Sequence, residues 1–320
     1  MQTLSVKILI EDVDMVILIT TLTKMLELFL FIIIGFVLRK RKILPENSGR
    51  VLALLENNIL MPSLILNTFI TRCTVYNLKA NSDMVMYEIL IIFAVLLFSC
   101  FVAKFLAKNK YEEGIFRYAL TIPNYAFMGN AIVESVFGNE MLYKYMMLTI
   151  PLNIFAYTVG VSWLKQEKNE EKKRIKFNPI VFALAMGIIL GISEINIPEF
   201  AMSGIENAGK CMAPIAMILT GFIIGEYRFT TLLKEISVYV AVTLRLIIIP
   251  TIVWIVLSFL GVNKEAVMLI ICALAMPVGL NTIIISAAYG RDTLKGASLT
   301  LISHIFSVVT IPIIITVVMN

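Results

Sequence analysis

Two short stretches decide the fold, 121-TIPNYAFMGN-130 and 275-AMPVGLNTII-284. Each sets a proline, Pro123 or Pro277, near the middle of a long apolar run. A helix meeting proline there loses a backbone donor and clashes with its preceding turn, so both helices are expected to break. Backbone groups freed at membrane depth are tolerated where protein buries them or a polar cavity takes them up. The alternative is that both prolines merely kink packed helices. Their paired positions and the neighbouring asparagines argue against it.

The composition places those stretches in a bilayer. Of 320 residues, 59% are apolar and 15% charged, with a mean hydropathy of +0.90; soluble chains average about 45–50% apolar and about 25% charged. A cytosolic enzyme, a disordered regulator and a nucleic-acid partner are all disfavoured. Cys73, Cys100, Cys211 and Cys272 are far apart and lack C-x-x-C spacing, which suggests neither a disulfide framework nor a zinc site.

Crossings are expected near 16–38, 52–70, 85–106, 113–137, 141–164, 178–192, 205–225, 236–260, 265–289 and 297–319. All should be helices, since the runs are too long and unalternating for barrel strands. Alternate loops hold 19 Lys and Arg residues and the opposite side five, so both termini should face away from the cytosol. The reading is then a non-cytoplasmic tail (1–15), a five-helix repeat (16–164), a charged cytoplasmic linker (165–177) and a second, inverted five-helix repeat (178–320). The linker contains KQEKNEEKKRIK, a solvated connection between halves.

Five crossings on each side of the linker make the second half start from the opposite face, as in inverted-repeat transporters. Landmarks recur in order: Gly35 with Gly187, Pro62 with Pro214 and Pro123 with Pro277, at offsets of 152, 152 and 154. The two breaks therefore belong to antiparallel helices at equivalent depths and can cross. Half-helices starting near Asn124 and Leu280 carry positive dipole ends that favour anions, and the ends at Ile122 and Met276 favour cations.

At these residues the sequence resembles the auxin efflux carrier family, which includes PIN-type carriers and bacterial malate or malonate transporter-like proteins. The carrying motifs are IPNYAFMGNAIVESVFG (122–138) and the region from AMPVGLN through AAYGRD to SVVTIP (275–312). The resemblance implies two inverted five-helix repeats. Helices one, two, six and seven would form a scaffold that often dimerises, and helices three to five and eight to ten a transport domain moving in an elevator-like step. By position it implicates Pro123, Asn124, Pro277, Gly279 and Asn281 in substrate binding. The chain departs from the family pattern at Asn130, often Ile there, and at His304, often a small residue.

Individual polar residues carry the remaining expectations. Asn124 suits both capping and donation to a carboxylate, and Asn281 a matching role or a helix–helix hydrogen bond. Asn153 is a candidate ligand. Arg245 lies about nine residues inside its crossing, where an unpaired arginine costs about 3 kcal/mol; it could attract the anion or pair with a carboxylate such as Glu134. His304, the lone histidine, would suit proton coupling, although such residues more often serve packing. Lys24 and Glu27 are one turn apart and should neutralise each other.

The expected function is secondary active transport of a small organic anion, a mono- or dicarboxylate, across the cell membrane by alternating access. A passive anion channel or a membrane receptor on the same repeat is the alternative; an intramembrane enzyme lacks a titratable pair or nucleophile. No cofactor or metal is expected. Coupling to H+ or Na+, and the direction of transport, stay open.

Overall fold

The computed structural model describes residues 2–165, 179–288 and 291–319, which are overwhelmingly helical. Twelve helices carry the fold: α1 (Gln2–Lys40), α2 (Ser48–Arg72), α3 (Val75–Leu106), α4 (Lys110–Thr121), α5 (Tyr125–Leu148), α6 (Ile150–Lys165), α7 (Pro179–Ser193), α8 (Glu199–Ile224), α9 (Ile236–Phe259), α10 (Lys264–Leu274), α11 (Asn281–Ala288) and α12 (Leu294–Met319). Six are long and apolar enough to cross a bilayer: α1 from Met15, α2, α3, α8, α9 and α12. The pair α5 and α6, bent by 48°, makes a seventh if counted as one span. The chain is therefore an all-helical, polytopic membrane protein.

The shorter helices flank the two prolines. Asn109 caps α4, its side chain accepting from the Glu112 amide over 2.9 Å, and Glu112 and Glu113 complement the helix dipole. The helix stops at Thr121 because Ile122, preceding proline, is extended (φ −113°, ψ 106°). α10 likewise stops at Leu274, three residues before Pro277. Gly138, at φ +81°, turns the chain inside α5, where the fourth expected crossing ends. The first helix begins at Gln2, so the segment read as a tail continues α1. Most of the charged linker (166–178), with Tyr289 and Gly290 of the AAYGRD motif, lies outside the described residues.

Two other prolines are absorbed without a break. Pro62 and Pro250 each follow a five-residue π-helical segment, Glu56–Leu60 and Leu244–Ile248. The widened turn accommodates the ring where an ordinary turn would set it against the carbonyl four residues back.

Helices in lipid associate through close packing, and glycine permits it. A Cβ on Gly35 of α1 would lie 1.9 Å from the Ile218 carbonyl oxygen of α8, and one on Gly221 of α8 would lie 1.8 Å from that of Ile32. α7 meets α2 in the same way: a Cβ on Gly187 would lie 2.7 Å from the Phe69 Cβ and 3.5 Å from the Leu66 carbonyl oxygen. Helices α1, α2, α7 and α8 thus form one packed group. On the exposed side of α1, Lys24 Nζ lies 3.0 Å from Glu27 Oε1, the pairing expected from their spacing.

At the end of the molecule holding the starts of α4, α9 and α12, Lys295 is buried between two carboxylates. Its ammonium bonds Glu235 and lies 3.5 Å from Glu112, while Lys108 reaches Glu235 at 3.3 Å. The Lys295 hydrogen bond holds the Glu235 carboxyl below the usual carboxylate range. A depressed carboxylate stabilises the fold above its unfolded pKa, and that contribution is lost as pH falls through its folded value. Lys295→Met should therefore lower the melting temperature most near neutral pH, and the gap from wild type should narrow below about pH 4. Thermal unfolding in detergent across that range measures it. In the same assay Gly221→Ala should lose about 1–3 kcal/mol, whereas Gly204→Ala, with no neighbour within 4 Å, should be neutral or stabilising.

Candidate functional site

The two broken helices meet through their backbones. Pro123 pairs with Val278 in an isolated antiparallel bridge, and the Asn124 amide donates to the Pro277 carbonyl over 2.7 Å. A Cβ on Gly279 would lie 3.1 Å from the Pro123 carbonyl oxygen, so glycine allows the segments to touch. Pro123, Asn124, Pro277 and Gly279 are thus one locus. Asn281 is the first residue of α11 and is buried. Helices α5 and α11 start beside this bridge, so their positive dipole ends converge on it.

The next helices hold the breaks in place. Ser303 of α12 accepts the Val278 amide through Oγ at 3.1 Å. On α6, Asn153 accepts from the Tyr125 hydroxyl at 2.8 Å and donates to the Thr149 carbonyl at 3.1 Å. Tyr145 donates from its hydroxyl to the Tyr125 carbonyl at 3.0 Å, and a Cβ on Gly129 would meet that hydroxyl at 2.1 Å. Asn153 therefore braces the break through Tyr125. It also lines a cavity of about 70 Å³ beside the bridge, with Tyr125 and Asn130 on one wall and Met61 and Ile65 of α2 on the other. A bound water needs about 10–15 Å³ on such a measure, so several water-sized groups fit.

His304, treated separately in the sequence, belongs to the crossing. Its Nε2 lies 3.3 Å from Asn124 Nδ2, and its Nδ1 lies 2.8 Å from the Thr300 carbonyl oxygen. Asn124 Oδ1 is buried and has no hydrogen-bond partner. Asparagine and histidine are 180 residues apart, and only packing could join them.

Arg245 is fully buried, and its Nη1 donates to the Leu120 carbonyl at 2.9 Å. In an unbroken helix that carbonyl would accept the Asn124 amide, which here goes to Pro277. The guanidinium thus caps a carbonyl freed by the break and sets positive charge at the negative end of α4. The suggested pairing of Arg245 with Glu134 is not what the structure holds. Glu88, buried on α3, is the carboxylate on which Arg245 acts electrostatically. Glu134 instead lines a separate cavity of about 480 Å³ with Arg72, Glu206 and Lys210, and the charges of Lys24 and Lys210 act on it. Lys210 is largely exposed and paired with Glu206 at 2.6 Å.

Sequence reasoning passed over Tyr125, Tyr145, Ser303 and Glu88. Only Glu88 left a signal, an acid four residues into the third expected crossing. Among the described residues, no group of three His, Cys, Asp or Glu side chains could hold a metal.

The membrane transport protein family matches residues 20–177 and 170–315, nearly the full length. The chain belongs to this family. It is the family to which the auxin efflux carrier motifs pointed. Relatives described as the uncharacterized transporter YfdV occur in Escherichia coli K12, Escherichia coli O157:H7 and Shigella flexneri; each is 22% identical over 303 residues, covering 90% of this chain and 95% of the relative.

In this family member Arg245 supports the break through the Leu120 carbonyl, and with Glu88 it forms a buried electrostatic pair that has no hydrogen bond or ion-pair contact. Arg245→Leu should cost about 3–5 kcal/mol. The double variant Arg245→Leu/Glu88→Leu should be less destabilised than the sum of its singles. Melting temperatures of the four proteins give the coupling, and strict additivity would dissolve the pair.

Proposed function

We infer that the protein is a secondary active transporter of a small organic anion, a mono- or dicarboxylate, in the cell membrane. The bridge between the two breaks carries this reading. It brings two positive half-helix ends and the Asn124 amide to one buried point, next to a small, mostly apolar cavity, with no acidic side chain in the bridge or the cavity lining. Such a site binds an anion by dipoles rather than by a fixed cation. The family assignment and the relatives' description as transporters support the same class of function.

The crossing also supports ten spans arranged as two inverted repeats. The sequence offset of 154 maps Pro123 on Pro277 and Asn124 on Val278, so the observed pairs, Pro123 with Val278 and Asn124 with Pro277, exchange into each other. The offset of 152 maps Gly35 on Gly187 and Leu66 on Ile218, and the contacts Gly35–Ile218 and Gly187–Leu66 exchange likewise. On this reading α1, α2, α7 and α8 are the scaffold, able to serve a homodimer, and the remaining helices move against it as an elevator. The excess of Lys and Arg in alternate loops puts both termini on the non-cytoplasmic side.

Uptake of radiolabelled malonate, malate and indole acetate into proteoliposomes tests the assignment. Wild type should transport at least one of them and show counterflow, which a channel lacks. Asn124→Ala, purified with an unchanged elution profile, should lose about tenfold or more of the rate, since one hydrogen bond to a charged group is worth about 1.5–3 kcal/mol. Undiminished transport by that variant would remove the crossing as the binding site.

A further inference from the structure

We propose that His304 and Asn124 form a proton-operated amide switch, so that the transporter loads a proton together with each anion. The proposal rests on the anion-transport reading above and specifies its coupling ion.

The geometry leaves few choices of hydrogen position. The Thr300 carbonyl only accepts, so His304 Nδ1 carries a hydrogen in either charge state. With the ring neutral, Nε2 is a bare acceptor. Asn124 must then turn its NH2 towards the ring, as the 3.3 Å contact records. Its carbonyl oxygen is left pointing into buried space with no donor. An orphaned carbonyl at the crossing repels a carboxylate.

Protonation reverses the pair. When Nε2 takes a proton from the aqueous phase it becomes a donor, and only Asn124 Oδ1 can accept from it. The amide then rotates about its terminal torsion, which is broad and nearly two-fold. Rotation pairs the orphaned oxygen and presents the NH2 donors to the anion. The imidazolium also supplies the single positive charge that a buried carboxylate needs. Either charge alone is expensive to bury, and together they compensate each other. Proton and anion binding are therefore coupled, and the coupling is reciprocal.

Among the described residues, no other ionisable group competes for this role at the ring. On its own helix the near polar residues are Thr300, Ser303 and Ser307, and Lys295 is engaged with Glu235 and Glu112. Of the helices packed against α12, α9 brings Arg245, whose charge acts on Glu88 and Tyr145, and α1 brings Lys24 and Glu27, paired with each other. α4 brings Tyr118 and the Arg117–Glu113 pair, α10 brings Cys272, α11 brings the hydroxyls of Thr282 and Ser286, and neither Met212–Ile224 of α8 nor the short helix Phe229–Leu232 carries an ionisable side chain. The ring itself responds to burial and to the Thr300 carbonyl, with no charged side chain acting on it.

Calorimetry of malonate and indole acetate binding to detergent-purified wild type, in two buffers of different ionisation enthalpy, counts the protons exchanged. Between about pH 6.5 and 8, where both ligands are ionised, about one proton should be taken up per anion, and affinity should fall up to tenfold per pH unit. His304→Gln should bind without proton uptake and with an affinity independent of pH. Binding to wild type without proton uptake overturns the switch and leaves the anion reading standing. Proton uptake that persists in His304→Gln also overturns it, by placing the proton elsewhere. Absence of binding by both ligands and by malate overturns the anion reading itself.

Discussion

The hydrogen bond from the Asn124 amide to the Pro277 carbonyl is the constraint on which the rest of the molecule depends. In hydrocarbon a helix has no way to end except by handing its backbone groups to another partner. Proline forces two such ends, and each break supplies partners for the other. What the bridge does not satisfy is taken by two side chains from two other helices: Ser303 for the Val278 amide and Arg245 for the Leu120 carbonyl. The crossing is thus a polar node assembled from α4, α5, α9, α12 and the segment after α10.

That assembly explains which parts of the site the sequence disclosed. Proline at mid-span is a local instruction, so both breaks could be read directly from Pro123 and Pro277. The pairing of Lys24 with Glu27 was equally local, following from helical spacing. Asn124 with His304, Arg245 with Leu120 and Lys108 with Glu235 are separated by 180, 125 and 127 residues, and no periodicity encodes them. Arg245 shows the limit well. Its depth in the crossing announced that it needed company, but choosing Glu88 over Glu134 required knowing which face of α9 meets α3 and α4.

The four π-helical segments share a related logic. They occupy Glu56–Leu60, Tyr125–Gly129, Ala156–Gly160 and Leu244–Ile248, and two of them hold a polar or charged group that the node uses, Tyr125 and Arg245. A π turn inserts one residue into the helical register and re-aims the side chains that follow. In Leu244–Ile248 this coincides with Arg245 reaching the end of α4. In Tyr125–Gly129 the Asn124 carbonyl accepts from both Met128 and Gly129, which tightens the start of α5 around the break. Glu56 is buried in the first of these segments, and neither of its carboxylate oxygens has a hydrogen-bond partner.

The scarcity of charge at the crossing bears on motion as well as on binding. On the elevator reading proposed above, a transport unit sliding through the bilayer would carry its site past apolar residues such as Met61 and Ile65 of α2, which line the cavity. A fixed cation would need desolvation in every empty cycle, at several kcal/mol per ion. Helix ends and amides exert their attraction without that penalty, because they carry no net charge to desolvate. Arg245 is held behind the break by the Leu120 carbonyl, and its charge acts on the buried Glu88. From there it can polarise the site without lying in it.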